Sequence, residues 1–334
     1  METKSLFKGS TPSKLQIALA FLSIYIIWGS TYLAIRFAID TIPPLMMAGA
    51  RFLLAGIPLY VVLRLTGSAR PTLAEWKVSA LLGVLLLSVG TGGVVLSEQS
   101  VPSGLVSLLV AMVPVYVAIL EWVISAMKNG SARPNIYSVG GLAVSTLGIF
   151  LLVAPSLGSG FGGKALNFMG IALVMLSSFS WSLGTVISRR LTLPRSNMLG
   201  TAMQMIFGGA FLMIASLGFG EHKGLDLRAI SINSLLAFGY LTVFGSIAAF
   251  SAYTWLLKHL SPEKVSTYAY VNPVVAVLLG WVILGEPVSA TTALAGVTIL
   301  GGVALLSVGN SQEYFKSQAY RKALVRTGQF LKLR

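Results

Sequence analysis

Long apolar runs separated by short polar joints set the pattern of this chain. Ten such runs lie at residues 15–35, 44–63, 78–96, 103–125, 136–153, 168–187, 198–219, 235–256, 266–284 and 291–308. Each is close to the ~20 apolar residues that an α-helix needs to cross a hydrocarbon core. The joints hold Pro, Gly, Asn or Ser, as turns do. The runs are apolar throughout instead of alternating every second residue, which excludes the strands of a membrane barrel. The pattern predicts an all-α membrane protein with ten transmembrane helices.

Composition sharpens this reading. Of 334 residues, 55% are hydrophobic and only 10% are charged, too few to coat a water-soluble globule. The start (Lys4, Lys8 and Lys14 before an apolar stretch from Leu15) resembles a signal peptide. Its apolar run outlasts the ~7–15 residues of such a segment, so it is read as the first span. The net charge of +14 does not point to nucleic acid, because the basic residues gather in alternate joints instead of on a folded polar face. Of 24 Lys and Arg, only Arg36, Lys164, Lys223 and Arg228 fall on one side, and Arg51 lies within a span. The excess on the other side predicts that both termini are cytoplasmic.

The two halves repeat. Trp28-Gly29-Ser30-Thr31 is matched by Trp181-Ser182-Leu183-Gly184-Thr185, Arg51 by Gln204, Gly56 by Gly209, Pro114 by Pro273 and Gly148 by Gly302. The landmarks keep their order and a nearly constant separation. Five spans per half, an odd number, make the second half enter the membrane upside down. The expected organisation is a cytoplasmic N-terminus (1–14), a first repeat (15–153), a periplasmic linker (154–167), a second repeat (168–308) and a basic cytoplasmic tail (309–334). Two inverted five-helix repeats place a substrate site near the midplane between them. In the tail, Tyr320, Leu324 and Leu331 beside Arg321, Lys322 and Arg326 fit either a short helix on an anionic leaflet or a disordered basic segment.

Trp28-Gly29-Ser30-Thr31-Tyr32, Pro43-Pro44, Ala50-Arg51-Phe52 and Ala55-Gly56 resemble the opening signature of EamA-type transporters, of the drug/metabolite transporter superfamily. Tyr268-Ala269-Tyr270-Val271-Asn272-Pro273-Val274 and Leu284-Gly285-Glu286 resemble the ninth span of that family. The likeness runs from Leu15 to Val308. It implies a ten-helix basket and export of small metabolites, often amino acids or drugs. Many relatives end the fourth span with a Gly-Glu step, where this chain has Leu120-Glu121-Trp122.

Several residues carry candidate chemistry. Arg51 is a charge inside a span, at an insertion cost of ~2.5–3.5 kcal/mol. It reads as a substrate-carboxylate or gating contact, or as a partner of a neighbouring helix or a snorkelling side chain. Glu98 ends span three on the same side, either as the partner of Arg51 in an outer gate or as a solvated loop carboxylate. Pro114 and Pro273 are expected to kink spans four and nine and to free a backbone carbonyl in each. Asn272 offers a donor and an acceptor beside that break, and Ser266, Tyr268 and Tyr270 add hydroxyls. Trp28 and Trp181, in matching places, read as a midplane aromatic wall flanked by Ser30, Thr31 and Thr185, or with Trp255 as interface anchors. Glycines at helical spacing read as helix-packing positions.

Cysteine is absent, no phosphate-cradling loop occurs, and no cluster of His, Asp or Glu falls within the runs. Metal, cofactor and catalytic sites are therefore not expected. The function expected is a secondary transporter exporting small amphipathic metabolites across the bacterial inner membrane by alternating access. An intramembrane enzyme and a channel are the alternatives. A small-molecule substrate and the bilayer are the expected partners, for a monomer or a homodimer.

Overall fold

The computed structural model describes residues 12–129, 136–153 and 167–305. Among these the regular structure is all helical: eight helices are long and apolar enough to cross a membrane, and two shorter apolar ones (α5 and α10) complete ten. They are α1 (Lys14–Ala38), α2 (Pro44–Leu65), α3 (Leu73–Ser97), α4 (Ser103–Met127), α5 (Ile136–Val153), α6 (Phe168–Ser188), α7 (Asn197–Gly218), α8 (Ile232–His259), α9 (Pro262–Leu284) and α10 (Ala290–Leu305). The expected linker and the residues of the basic tail lie outside the described residues.

Local chemistry sets where the spans begin. Ser13 and Gln16 close a capping box on α1, and Thr72 and Glu75 do the same on α3. Side chains of Asn167, Ser196 and Ser231 cap α6, α7 and α8. Pro44 and Pro262 occupy the first helical positions of α2 and α9, where the missing N–H costs nothing. Gly285 ends α9 at φ 65°, a left-handed cap that L side chains resist.

The halves pack against each other helix by helix. Where α2 meets α7 the backbones approach so closely that a Cβ on Gly209 would lie 2.9 Å from the Gly49 carbonyl oxygen. A Cβ on Gly29 of α1 would sit 2.7 Å from that of Val275 in α9. Gly148 of α5 faces the α10 backbone at Ile299, and Gly302 of α10 faces the α5 backbone at Ser145. Small residues permit these approaches, because in lipid dispersion contacts replace the hydrophobic drive. Outward faces remain apolar: Leu15, Leu19, Leu22 and Ile26 form one exposed stripe along α1. Only lipid makes such a stripe stable.

Two elements differ from simple helices. Residues Gly83–Thr91 of α3 and Leu241–Ala249 of α8 wind as π-helix, at corresponding places of the two halves. Spans four and nine are each interrupted upstream of their internal prolines. In α4 the segment Ser103–Val110 stops, and Val113–Asn129 restarts with Pro114 in its first turn. In α9 the short Pro262–Val265 turn stops, and Tyr268–Leu284 restarts with Pro273 inside it.

Candidate functional site

A cavity of about 90 Å³ lies where α1, α2, α3, α6, α8 and α9 converge. Its aromatic wall is built from both halves. Trp28 of α1 and Trp181 of α6 meet edge to face with centroids 5.4 Å apart. Tyr253 of α8 packs on both, at 5.0 and 5.2 Å, and Tyr268 of α9 lies 5.1 Å from Trp28. Such edge-on pairs are worth ~0.5–1.5 kcal/mol each beyond burial, so the wall is stiff. Thr185 stands behind it: its hydroxyl hydrogen-bonds the Tyr253 hydroxyl and donates to the Trp181 carbonyl.

The π segments form the rest of the lining. Winding from i→i+4 to i→i+5 misaligns carbonyls that an α-helix would satisfy. Ser177 and Ser180 of α6 donate to the carbonyls of Val89, Gly90 and Leu85, and Ser88 donates to Gly208 of α7. In α8 the Trp28 Nε1–H donates to the Gly245 carbonyl at 3.3 Å. Serine hydroxyls and one indole thus stabilise both irregular stretches beside the cavity.

Polar atoms facing this space are mostly donors. Arg51 is 5% exposed, and its guanidinium carbon lies 4.4 Å from the Phe52 ring centroid. Among the described residues its Nε and Nη1 have no hydrogen-bond partner, nor does Ser178 Oγ. Buried donors without acceptors are costly, and a guest bearing an acceptor would relieve them. The Asn272 amide nitrogen donates to the carbonyls of Tyr268 at 3.2 Å and Tyr25 at 3.1 Å. Asn272 therefore braces α9 against α1 while lining the cavity.

The sequence candidates separate into three groups. Trp28, Thr31, Arg51, Trp181, Tyr268 and Asn272 line the cavity together. Thr185 buttresses the wall, while Pro114 and Ser266 sit at the helix breaks and Pro273 lies inside the restarted part of α9, none of them facing the space. Ser266 is occupied locally, its hydroxyl donating to the Glu263 carbonyl. Ser30 and Tyr270 point elsewhere: the Ser30 hydroxyl meets Tyr240 at 2.7 Å, and the Tyr270 hydroxyl donates to the Val303 carbonyl at 2.7 Å. Trp255 lies outside the wall and stacks on His259 at 4.4 Å.

Glu98 is fully buried, so it is not a solvated loop carboxylate. It makes no ion pair with Arg51 in this structure. Arg36 instead donates to the Glu98 backbone carbonyl at 2.6 Å.

Other residues entered the site without a sequence signal. Tyr253 and Phe250 are ordinary members of an apolar run, and only the aromatic neighbours brought by other helices give them a role. Glu286 reaches from beyond α9 to the start of α4, accepting from the Ser103 N–H and Oγ, both at 2.9 Å, and from the Gly104 N–H at 3.1 Å. Glu221 does the same for α2, accepting from the N–H groups of Leu45 and Met46. Negative charge at a helix N-terminus satisfies orphan donors and opposes the positive end of the dipole.

A second cavity, of about 330 Å³, lies at the opposite end of the bundle, with Arg189, Gln204 and Lys258 among its lining. At this end Arg190 and Glu121 form the one ion pair found among the described residues, with both side chains partly exposed. No cluster of three or more metal-ligating side chains occurs among the described residues.

Two helical repeats of apolar spans enclose a buried aromatic cavity, the architecture of a membrane transporter. The family model for "EamA-like transporter family" matches residues 15–154 and 168–308, and the chain belongs to that family. It is 42% identical over 303 residues to the inner membrane transporter YedA of Escherichia coli K12, covering 87% of this chain and 90% of that protein. It is 25% identical over 302 residues to the transporter YoaV of Bacillus subtilis, covering 86% and 95%. A WAT1-related chloroplastic protein of Arabidopsis thaliana is 24% identical over 288 residues, covering 86% of this chain and 68% of its own. One solved crystal structure superposes with a TM-score of 0.61 at 19% identity, over 89% of this chain and 98% of its own, a likeness of fold alone.

Proposed function

We propose that this protein is a secondary transporter that exports small amphipathic metabolites across the bacterial inner membrane by alternating access. Its termini are cytoplasmic, and its two repeats stand in opposite senses. The observation that carries the reading is the composite cavity. Matched tryptophans from the two repeats share one wall, and a buried arginine from the first faces the same space. Carriers built from inverted repeats hold their guest at such a junction.

The lining also suggests the shape of the guest. Aromatic faces suit an apolar body, and the unpartnered donors of Arg51 and Ser178 suit a carboxylate at one end. Arg189 and Lys258 around the wider cavity would draw an anion toward it from the cytoplasm. The chain carries no nucleotide-binding loop, so net flow follows gradients.

Counterflow in proteoliposomes tests this. Vesicles carrying the purified protein are loaded with a panel of amino acids, other organic acids, sugars and nucleosides, with and without a pH gradient. Exchange of carboxylate-bearing amphipaths, lost in Arg51→Gln, is expected. Exchange that ignores the carboxylate, or none across the panel, counts against the reading.

A further inference from the structure

Among the described residues, Glu98 is the one carboxylate that is both fully buried and unpartnered. Its side chain has no exposed surface, and neither oxygen has a hydrogen-bond partner among the described residues. The charged and titratable groups facing it come from three directions. Tyr32 and Arg36 approach from α1, Arg51 from α2 and Glu286 from beyond α9. None neutralises it. Arg36 is turned to the Glu98 backbone carbonyl, Glu286 commits its oxygens to the start of α4, and Arg51 faces the cavity. Two opposite charges thus lie on neighbouring elements, buried and unpaired, an arrangement that a low dielectric punishes. A proton on Glu98 removes half of the problem. Burial pushes this carboxyl well above the usual carboxylate range, Glu286 adds repulsion, and Arg36 and Arg51 pull the other way. Next along the chain, Gln99 and Ser100 are exposed, so the path to water is one residue long.

We propose that Glu98 is a proton-binding site, occupied in this conformation and emptied when the Arg51 guanidinium turns from the cavity to the Glu98 carboxylate. This inference rests on the reading of Arg51 as the guest-facing cation. In the conformation described here Glu98 holds its proton and the Arg51 guanidinium is free to take an anionic guest. After the carrier has changed facing and the guest has left, Arg51 swings to Glu98, the carboxyl O–H bond breaks, and the proton passes to water beside Gln99.

Infrared spectroscopy of the full chain in liposomes, titrated without any guest, tests the site directly. At pH 7 the spectrum should contain the C=O stretch of a protonated carboxyl in an apolar setting. The band should vanish in Glu98→Gln, shift in Glu98→Asp and persist in Glu286→Gln. Arg51→Gln should move its titration to higher pH, because losing a nearby cation removes a force that favours ionisation. Absence of the band at pH 7, or a band that neither Glu98 variant alters, overturns the proposal. Protein that shows the band but exchanges no solute sinks the transport reading and leaves the proton site standing. Protein that exchanges solute without the band does the reverse.

Discussion

At the scale of single residues, the tightest constraints are the places where no side chain fits. Gly209 and Gly218 lie on the same helix and make a controlled pair. A Cβ on Gly209 meets the Gly49 carbonyl oxygen at 2.9 Å and the Leu53 amide nitrogen at 3.0 Å, both backbone atoms that cannot step aside. A Cβ on Gly218 meets nothing within 4 Å. Gly209→Ala should lower stability by ~1–3 kcal/mol through forced separation of α2 and α7. Gly218→Ala should be neutral or stabilising by up to ~1 kcal/mol, because alanine restricts the unfolded chain. Thermal melts of detergent-purified protein distinguish the two. Part of the residue scale was legible in the sequence: the matching places of Trp28 and Trp181, and a charge at position 51 within a span. The burial of Glu98 was not. It sits beside Gln99 and Ser100, so it reads as a loop residue, and α1 and α2 on one side and the chain after α9 on the other enclose it.

At the scale of elements, the spans were legible to within a few residues, since twenty apolar residues in a row leave little choice of structure. Their irregularities were not. A shift to π winding leaves the apolar pattern untouched, and the breaks near Ala111-Met112 and Ser266-Thr267 carry no Gly or Pro at the break itself. The prolines lie downstream of the breaks. Pro273 sits inside a helix whose i−4 carbonyl it cannot use. Pro273→Ala should raise the melting temperature and reduce the exchange rate more than the apparent affinity, as expected for an element that moves during the cycle. Equal loss of rate and affinity would instead make Pro273 part of the guest's own contact surface. Glu286→Gln removes charge from three hydrogen bonds at the start of α4 and should cost ~1–3 kcal/mol, read as a lower melting temperature.

At the scale of the whole molecule, the absence of cysteine offers a direct test of orientation. With the N-terminus inside, Gly160→Cys should react with a membrane-impermeant maleimide in intact cells, and Gly130→Cys should react only after lysis. The reverse pattern would invert the carrier. The repeat itself was visible from ordered landmarks, but how the halves interlock was not, because each approach involves residues far apart in the chain.

The carboxylate ties have a further consequence at this scale. Glu221 and Glu286 fasten the second repeat to the starts of α2 and α4 at one end of the bundle. The corresponding start of α9, at the other end, has no carboxylate cap; there, among the described residues, the first repeat is joined by the Tyr25–Thr267 hydroxyl pair at 3.1 Å and by the partly exposed Arg190–Glu121 ion pair. Pseudo-twofold architecture would make the two facings of a carrier isoenergetic; here one rim is bolted and the other is merely latched. Under the proposed alternating cycle, the resting protein is expected to open toward the latched rim, and each turnover to begin by drawing the bolts.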